Sequence, residues 1–171
     1  FYTRSRDLVP SAPNTAHLFW EDNEQNPSLG YGNIRVRSTV DGGETWSARR
    51  TLNIEDGNPT NSLERSTDLK ACADETGRAY VVWRDARDPE LSQTLPYPGQ
   101  IKLRYSEDSG STFLPADAEV KLDIGDTVGT ESGDPEIDCL SSGLVAVVWT
   151  DERNGDADVF ISVSQDGGAT W

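Results

Sequence analysis

Methionine is absent from this chain, histidine occurs once and cysteine occurs twice. A single histidine, His17, leaves little material for a Ser-His-Asp relay or a histidine-ligated metal. It lies in the strand-like stretch T-A-H-L-F-W and reads as a strand-face residue. Cys72 and Cys139 make no C-x-x-C spacing, so a zinc or redox centre is not expected. No apolar run approaches the ~20 residues of a membrane helix, and membrane insertion is not expected. No signal peptide is visible, and the chain reads as a processed protein or a piece of a longer one. Basic residues are also scarce, 15 against 30 acidic ones, for a net charge of −15. Such a surface repels phosphate backbones and anionic lipids, which argues against nucleic acid and membranes as partners. It suits solubility, cation binding or a saline exterior.

What is present is a repeat. Three segments align, each with an aromatic-anchored run followed by a turn motif. The runs are H-L-F-W-E-D at 17–22, Y-V-V-W-R-D at 80–85 and A-V-V-W-T-D at 146–151. Their tryptophans are Trp20, Trp83 and Trp149. Downstream, Ile34 and Val36, then Ile101, Leu103 and Tyr105, then Val159, Ile161 and Val163 alternate with polar residues. Alternation of this kind marks half-buried strands, and no sustained 3.6-residue period appears. Gly, Asp, Asn and Pro punctuate between the runs. Each repeat reads as four strands, in the second roughly 69–73, 78–84, 101–106 and 112–122. Cys72 and Cys139 fall at matching places on the first strand of the second and third repeats. A disulfide between them would cross-link the units and fit a secreted protein, but inner strands of adjacent units tend to stand beyond the Cα separation of up to about 7 Å that the bond needs, so two buried thiols are the favoured expectation.

Each repeat closes on one motif. It reads Thr39-x-Asp41-x-Gly43-x-Thr45-Trp46, then Ser106-x-Asp108-x-Gly110-x-Thr112-Phe113, then Ser164-x-Asp166-x-Gly168-x-Thr170-Trp171. Glycine supplies the positive φ that a hairpin turn requires. An aspartate carboxylate accepts backbone N–H groups across its own turn, and Ser or Thr closes it from the other side. The aromatic then has a large apolar area to bury between sheets. The expected role is structural.

This motif resembles the Asp box, the bacterial neuraminidase repeat of sialidase-like β-propellers, with Thr39 in place of Ser and Phe113 in place of Trp. The resemblance covers nearly the whole chain. It implies an all-β fold of propeller blades with four antiparallel strands, about three of them here, at roughly 7–56, 57–124 and 125–171, as part of a six-bladed ring. Three repeats do not close a propeller, which needs typically 4–8 blades. The third also lacks a fourth strand after Trp171. Further blades of a longer chain, self-association of two copies, or a strand donated by residues 1–5 would each answer this. Those five residues read alternatively as the end of a preceding blade.

In sialidases the active site lies at the blade ends opposite the box. That end here holds the most charged segments. Candidate ligand-binding residues are Asp22, Arg65, Arg84, Asp85, Arg87, Asp88 and Asp151. Arginines among them suit an anionic or hydroxylated ligand, but for 84–88 a network of Arg–Asp pairs holding the loop shut is the favoured reading. Asp151, Asn154, Asp156 and Asp158 surround a glycine turn with oxygen donors and are the candidate Ca²⁺ ligands. They lack the spacing and terminal Glu of an EF-hand loop, and no cofactor is required. The sialidase family holds the sugar carboxylate with three arginines, one of them in an Arg-Ile-Pro motif, and uses a Tyr–Glu pair with an Asp acid/base. Arg-Ile-Pro does not occur, the stretch from Arg6 to Pro10 does not match it, and nothing marks Arg6, Arg65 and Arg84 as a triad. No catalytic residue is carried over. The expectation is a secreted or cell-surface binding or structural module for a glycan or other surface polymer. The alternatives are a fragment of a sialidase-type exo-glycosidase and a self-assembling subunit.

Overall fold

The computed structural model describes residues 3–22, 32–54, 66–86, 99–125 and 130–171. Eleven strands and no helix occur among them. The first sheet takes β1 (Thr3–Pro10), β2 (Ala16–Asp22), β3 (Asn33–Thr39) and β4 (Arg50–Thr51). The second takes β5 (Ser66–Ala73), β6 (Ala79–Asp85), β7 (Gln100–Ser106) and β8 (Val120–Lys121). The third takes β9 (Ser132–Cys139), β10 (Val145–Asp151) and β11 (Asp158–Ser164). Each sheet is an antiparallel meander in chain order. These are the blades of a partial β-propeller. Their first strands lie against one another, β1 on β5 and β5 on β9, and form the inner wall.

The first blade starts at Thr3, because β1 pairs with β2 from Thr3 opposite Asp22 to Pro10 opposite Ala16. Residues 3–5 therefore belong to the first blade and are not donated to the third. The outer strand expected over 112–122 shrinks to Val120–Lys121 plus a bridge between Tyr105 and Leu114. Pro115 has no N–H for a ladder. Buried Arg104 also gathers the chain around its guanidinium, with Nη2 donating to the carbonyls of Phe113 at 2.7 Å and Pro115 at 2.6 Å. Its Nη1 reaches back to the Leu52 carbonyl of the first blade at 3.1 Å.

Two apolar layers lie between the three blades. Between the first and second, Phe19, Ile34, Val36 and Leu52 meet Ala79, Val81, Trp83 and Phe113. Between the second and third, Tyr80, Val82, Ile101 and Leu103 meet Val145, Val147 and Trp149. This explains the continuous apolar run in β6, where Ala79 through Trp83 are all fully buried. A middle blade is covered on both faces, so alternation disappears from its sequence. In β10 only every second residue is buried.

Cys72 and Cys139 are joined in a disulfide with a Cα separation of 6.0 Å, contrary to the two thiols expected. The reason is register. Cys72 pairs with Tyr80 and Cys139 with Val145, while the repeat equivalent of Tyr80 is Ala146, which pairs with Asp138. The cysteines are thus one step out of equivalence. Because strand side chains alternate, that step turns Cys72 forward from the second blade and Cys139 backward from the third.

His17 is fully buried on β2, with Nδ1 2.9 Å from Ser38 Oγ. Burial, with Arg50 nearby, pushes its pKa down to about 4. It is a neutral strand-face residue at the seam between two blades.

Candidate functional site

The two ends of each blade differ in chemistry. At one end the three Ser/Thr-x-Asp-x-Gly-x-Thr turns are self-satisfied and superposable in their bonding. The Thr39 hydroxyl donates to Asp41 at 2.7 Å and accepts from the Gly43 amide at 2.9 Å. Ser106 serves Asp108 and Gly110 at 2.9 and 2.9 Å, and Ser164 serves Asp166 and Gly168 at 2.8 and 2.8 Å. Each aspartate then accepts from the amide and hydroxyl of the threonine four residues on, Thr45, Thr112 or Thr170. These bonds favour the charged form. The Thr170 hydroxyl and amide bring Asp166 down to about 2, and those of Thr45 hold Asp41 well below the carboxylate range. At Asp108 burial pulls upward, but the same contacts from Thr112 prevail and its pKa is lowered. Gly110 needs its place, with φ of 81° and a Cβ position already occupied by Ser38 Oγ. Phe113 is buried edge-on against Phe19 of the preceding blade, and Trp171 packs partly buried against the layer between blades two and three. Trp46, with no described blade before it, is 37% exposed.

At the opposite end a second device recurs. The indole N–H of Trp20, Trp83 and Trp149 donates to the aspartate two residues on, Asp22, Asp85 or Asp151, at 3.1, 3.1 and 3.0 Å. Ser66 and Ser132, at the start of the inner strands, donate to Asp85 and Asp151 as well. In the first blade Arg35 instead bonds Asp22 at 3.2 Å. Three sequence candidates for ligand binding, Asp22, Asp85 and Asp151, therefore serve as latches between β-strands. Asp85 and Asp151 are 4% and 0% exposed. Burial raises the Asp151 carboxyl, but Arg153 and the Trp149 indole outweigh it and hold the group below the carboxylate range. Arg153 also stacks 4.3 Å over Phe160.

This bonding separates the candidate calcium ligands. Asp151 points inward with both oxygens engaged, while Asn154, Asp156 and Asp158 are exposed and Asn154 bonds Asp158 at 2.9 Å. Among the described residues no group of three or more His, Cys, Asp or Glu is placed to hold a metal. Among the described residues Arg84 has a partner well outside the 84–88 segment. It spans to the third blade, where Nε meets Glu131 at 2.7 Å, and the other Glu131 oxygen accepts from the Gly99 amide at 3.2 Å. Gly99 is tight against both Arg84 and the Ser132 carbonyl, leaving no room for a Cβ. Arg65, Arg87 and Asp88 lie outside the described residues.

The inner wall carries a charged row that sequence reasoning missed. Asp7 on β1 is opposite Phe19, Lys70 on β5 opposite Val82, and Glu136 on β9 opposite Val148, so the three positions are repeat equivalents. Lys70 Nζ donates to Glu136 at 2.5 Å, and their side chains are 42% and 62% exposed. Asp7 Oδ2 accepts from the Ala71 amide at 2.8 Å. Burial raises the Asp7 pKa despite that bond and the nearby Lys70, while the Glu136 hydrogen bond raises Lys70. The signal lay in aligning the inner strands, which carry no shared motif.

No protein-family model matches the chain, and no curated protein matches it in sequence. Its shape is nonetheless shared. A Hadza microbial sialidase superposes on 99% of the chain and 36% of its own, with a TM-score of 0.68 at 18% identity. A leech intramolecular trans-sialidase gives 99%, 43%, 0.65 and 11% for the same quantities. An α-L-arabinanase from Penicillium chrysogenum gives 95%, 46%, 0.60 and 18%. The fold is thus that of the β-propeller glycosidases, and the chain spans less than half the length of these three.

Proposed function

We propose that this chain is a secreted or cell-surface propeller segment that binds a glycan along its inner wall, and that its three bonded turns are Asp boxes serving the fold alone. The observation that carries this reading is the row of Asp7, Lys70 and Glu136 at one repeat-equivalent level. Carboxylates accept from sugar hydroxyls and an ammonium donates to them, so an alternating row suits a hydroxyl-rich chain. Arg84 and Glu131, bonded across blades two and three, stand at the rim of the same end as the latches. The likeness to glycan-cleaving propellers favours the same ligand class, and the disulfide favours an oxidising compartment.

A second reading is a fragment of a sialidase-type exo-glycosidase. The upward shift of Asp7 favours it, because a general acid needs a carboxyl that keeps its proton nearer neutrality. Turnover of fluorogenic sialosides and arabinosides tests this. Hydrolysis that Asp7→Asn abolishes establishes the enzyme. Glycan binding without hydrolysis of either substrate establishes the binding module.

A further inference from the structure

Three consecutive residues of β5 each carry one tie to a neighbouring blade. Lys70 Nζ donates to Glu136 of β9 at 2.5 Å, the Ala71 amide donates to Asp7 of β1 at 2.8 Å, and Cys72 is bonded to Cys139 of β9. The register between the charged pair and the disulfide is unbroken on both strands. Lys70 to Ala73 pair with Val82 to Ala79, and Glu136 to Cys139 pair with Val148 to Val145, while the β-bulges lie before Lys70 and before Glu136. Lys70 and Cys72 are two residues apart and leave β5 on the same side. The disulfide therefore fixes the spacing of the two stretches that carry the charged pair, with no irregular residue in between to absorb a change.

The charged pair does not hold that spacing by itself. The Lys70 side chain is 42% exposed, and an ion pair so open to water contributes little. From this we propose that Cys72 and Cys139 are positioning residues of the inner wall. Their disulfide keeps Lys70 and Glu136 together for a bound glycan, and its reduction weakens that binding. This inference rests on the glycan-binding reading of the same wall. Reduction takes a dithiol. Its two sulfurs displace those of the protein in turn, and the Cys72–Cys139 bond breaks. Both cysteines end as thiols, having gained two electrons and two protons, and the reductant leaves as its own disulfide. The freed sulfurs part to non-bonded distance, and the uninterrupted stretches carry that movement to Lys70 and Glu136. The Asp7 bond to the Ala71 amide contains no sulfur, so β5 stays against β1 while β9 shifts.

The test reads Lys70 directly. The chain has three lysines, and the other two, Lys102 and Lys121, are paired with each other on β7 and β8, away from the inner strands. Competitive acetylation with acetic anhydride, followed by mass spectrometry, gives the rate at Lys70 against the rate at Lys102 in the same molecule. In the oxidised chain the Glu136 hydrogen bond keeps the Lys70 amine protonated and slow. A dithiol should speed Lys70 at least ~threefold relative to Lys102, the scale of a lost exposed ion pair. Glu136→Gln should give the same rise in the oxidised chain, and reduction should then add nothing. On arrayed sialosides and arabino-oligosaccharides the dithiol should weaken binding by a similar factor. The variant with Cys72→Ser and Cys139→Ser should bind at the weakened level with or without it. A Lys70 rate unmoved by reduction, a Lys102 rate rising in step with it as the chain unfolds, or equal binding by oxidised and reduced chains would overturn the inference and leave the glycan reading standing. An oxidised chain that binds none of the arrayed sugars would overturn the glycan reading itself, and this inference with it.

Discussion

Cys72 and Cys139 sit one register step away from equivalence on the first strands of adjacent blades, and that step lets their sulfurs meet. The bond closes a loop with a sequence separation of 67 residues. Chain entropy assigns a loop of that size about 4 kcal/mol of stabilisation. Replacing both cysteines by serine should lower the urea midpoint accordingly with little change in slope. A reductant should act on the natural chain and leave the double variant unaffected.

His17 makes stability depend on pH. Its pKa is about 4 in the fold against 6.5 unfolded, so protons bind the unfolded chain more readily. Stability is full above pH 6.5 and declines as pH falls from there to about 4, by up to about 3 kcal/mol. His17→Asn should flatten that part of the pH profile in urea titrations monitored by tryptophan fluorescence, whatever its effect at neutral pH.

The turn aspartates act in a lower window. Asp41, Asp108 and Asp166 have depressed pKa values, so their contribution is present above the unfolded value of 3.8 and is lost as pH falls below it through each folded value, which for Asp166 is about 2. Asp108→Asn keeps the shape but weakens bonds to Thr112 and Ser106, and should cost about 1 kcal/mol at neutral pH. The loss should shrink as pH drops below 3.8, which thermal melts across that range will show.

Calcium should leave the melting temperature unchanged. The oxygens of Asp151 are taken by Arg153, Trp149 and Ser132. Arg153→Ala removes the strongest of these and should destabilise the fold by leaving a buried carboxylate undercompensated, by about 3 kcal/mol. Differential scanning calorimetry with calcium and with chelator checks both statements.

The fold was legible because its signals are local. The Ile34–Val36 and Ile101–Leu103 alternation and the three turn motifs each report a few neighbouring residues, and the strands follow. Charged residues near the blade ends were less legible. Asp85 and Asp151 look like solvent-facing ligands in sequence, yet each turns back to a tryptophan two residues earlier. Arg84 finds its partner 47 residues away, across a blade boundary that no local pattern marks. Lys70 and Glu136 were hidden because their relationship is one of register, and a β-bulge lies in each inner strand between the pairing ends. The same one-residue resolution decided the disulfide.

A glycan array probed with the natural chain, with Lys70→Ala and with Glu107→Gln in the second turn tests the central claim most directly. The account predicts binding to at least one glycan, lost in Lys70→Ala and kept in Glu107→Gln. Binding to no glycan, or binding that survives Lys70→Ala, would contradict it.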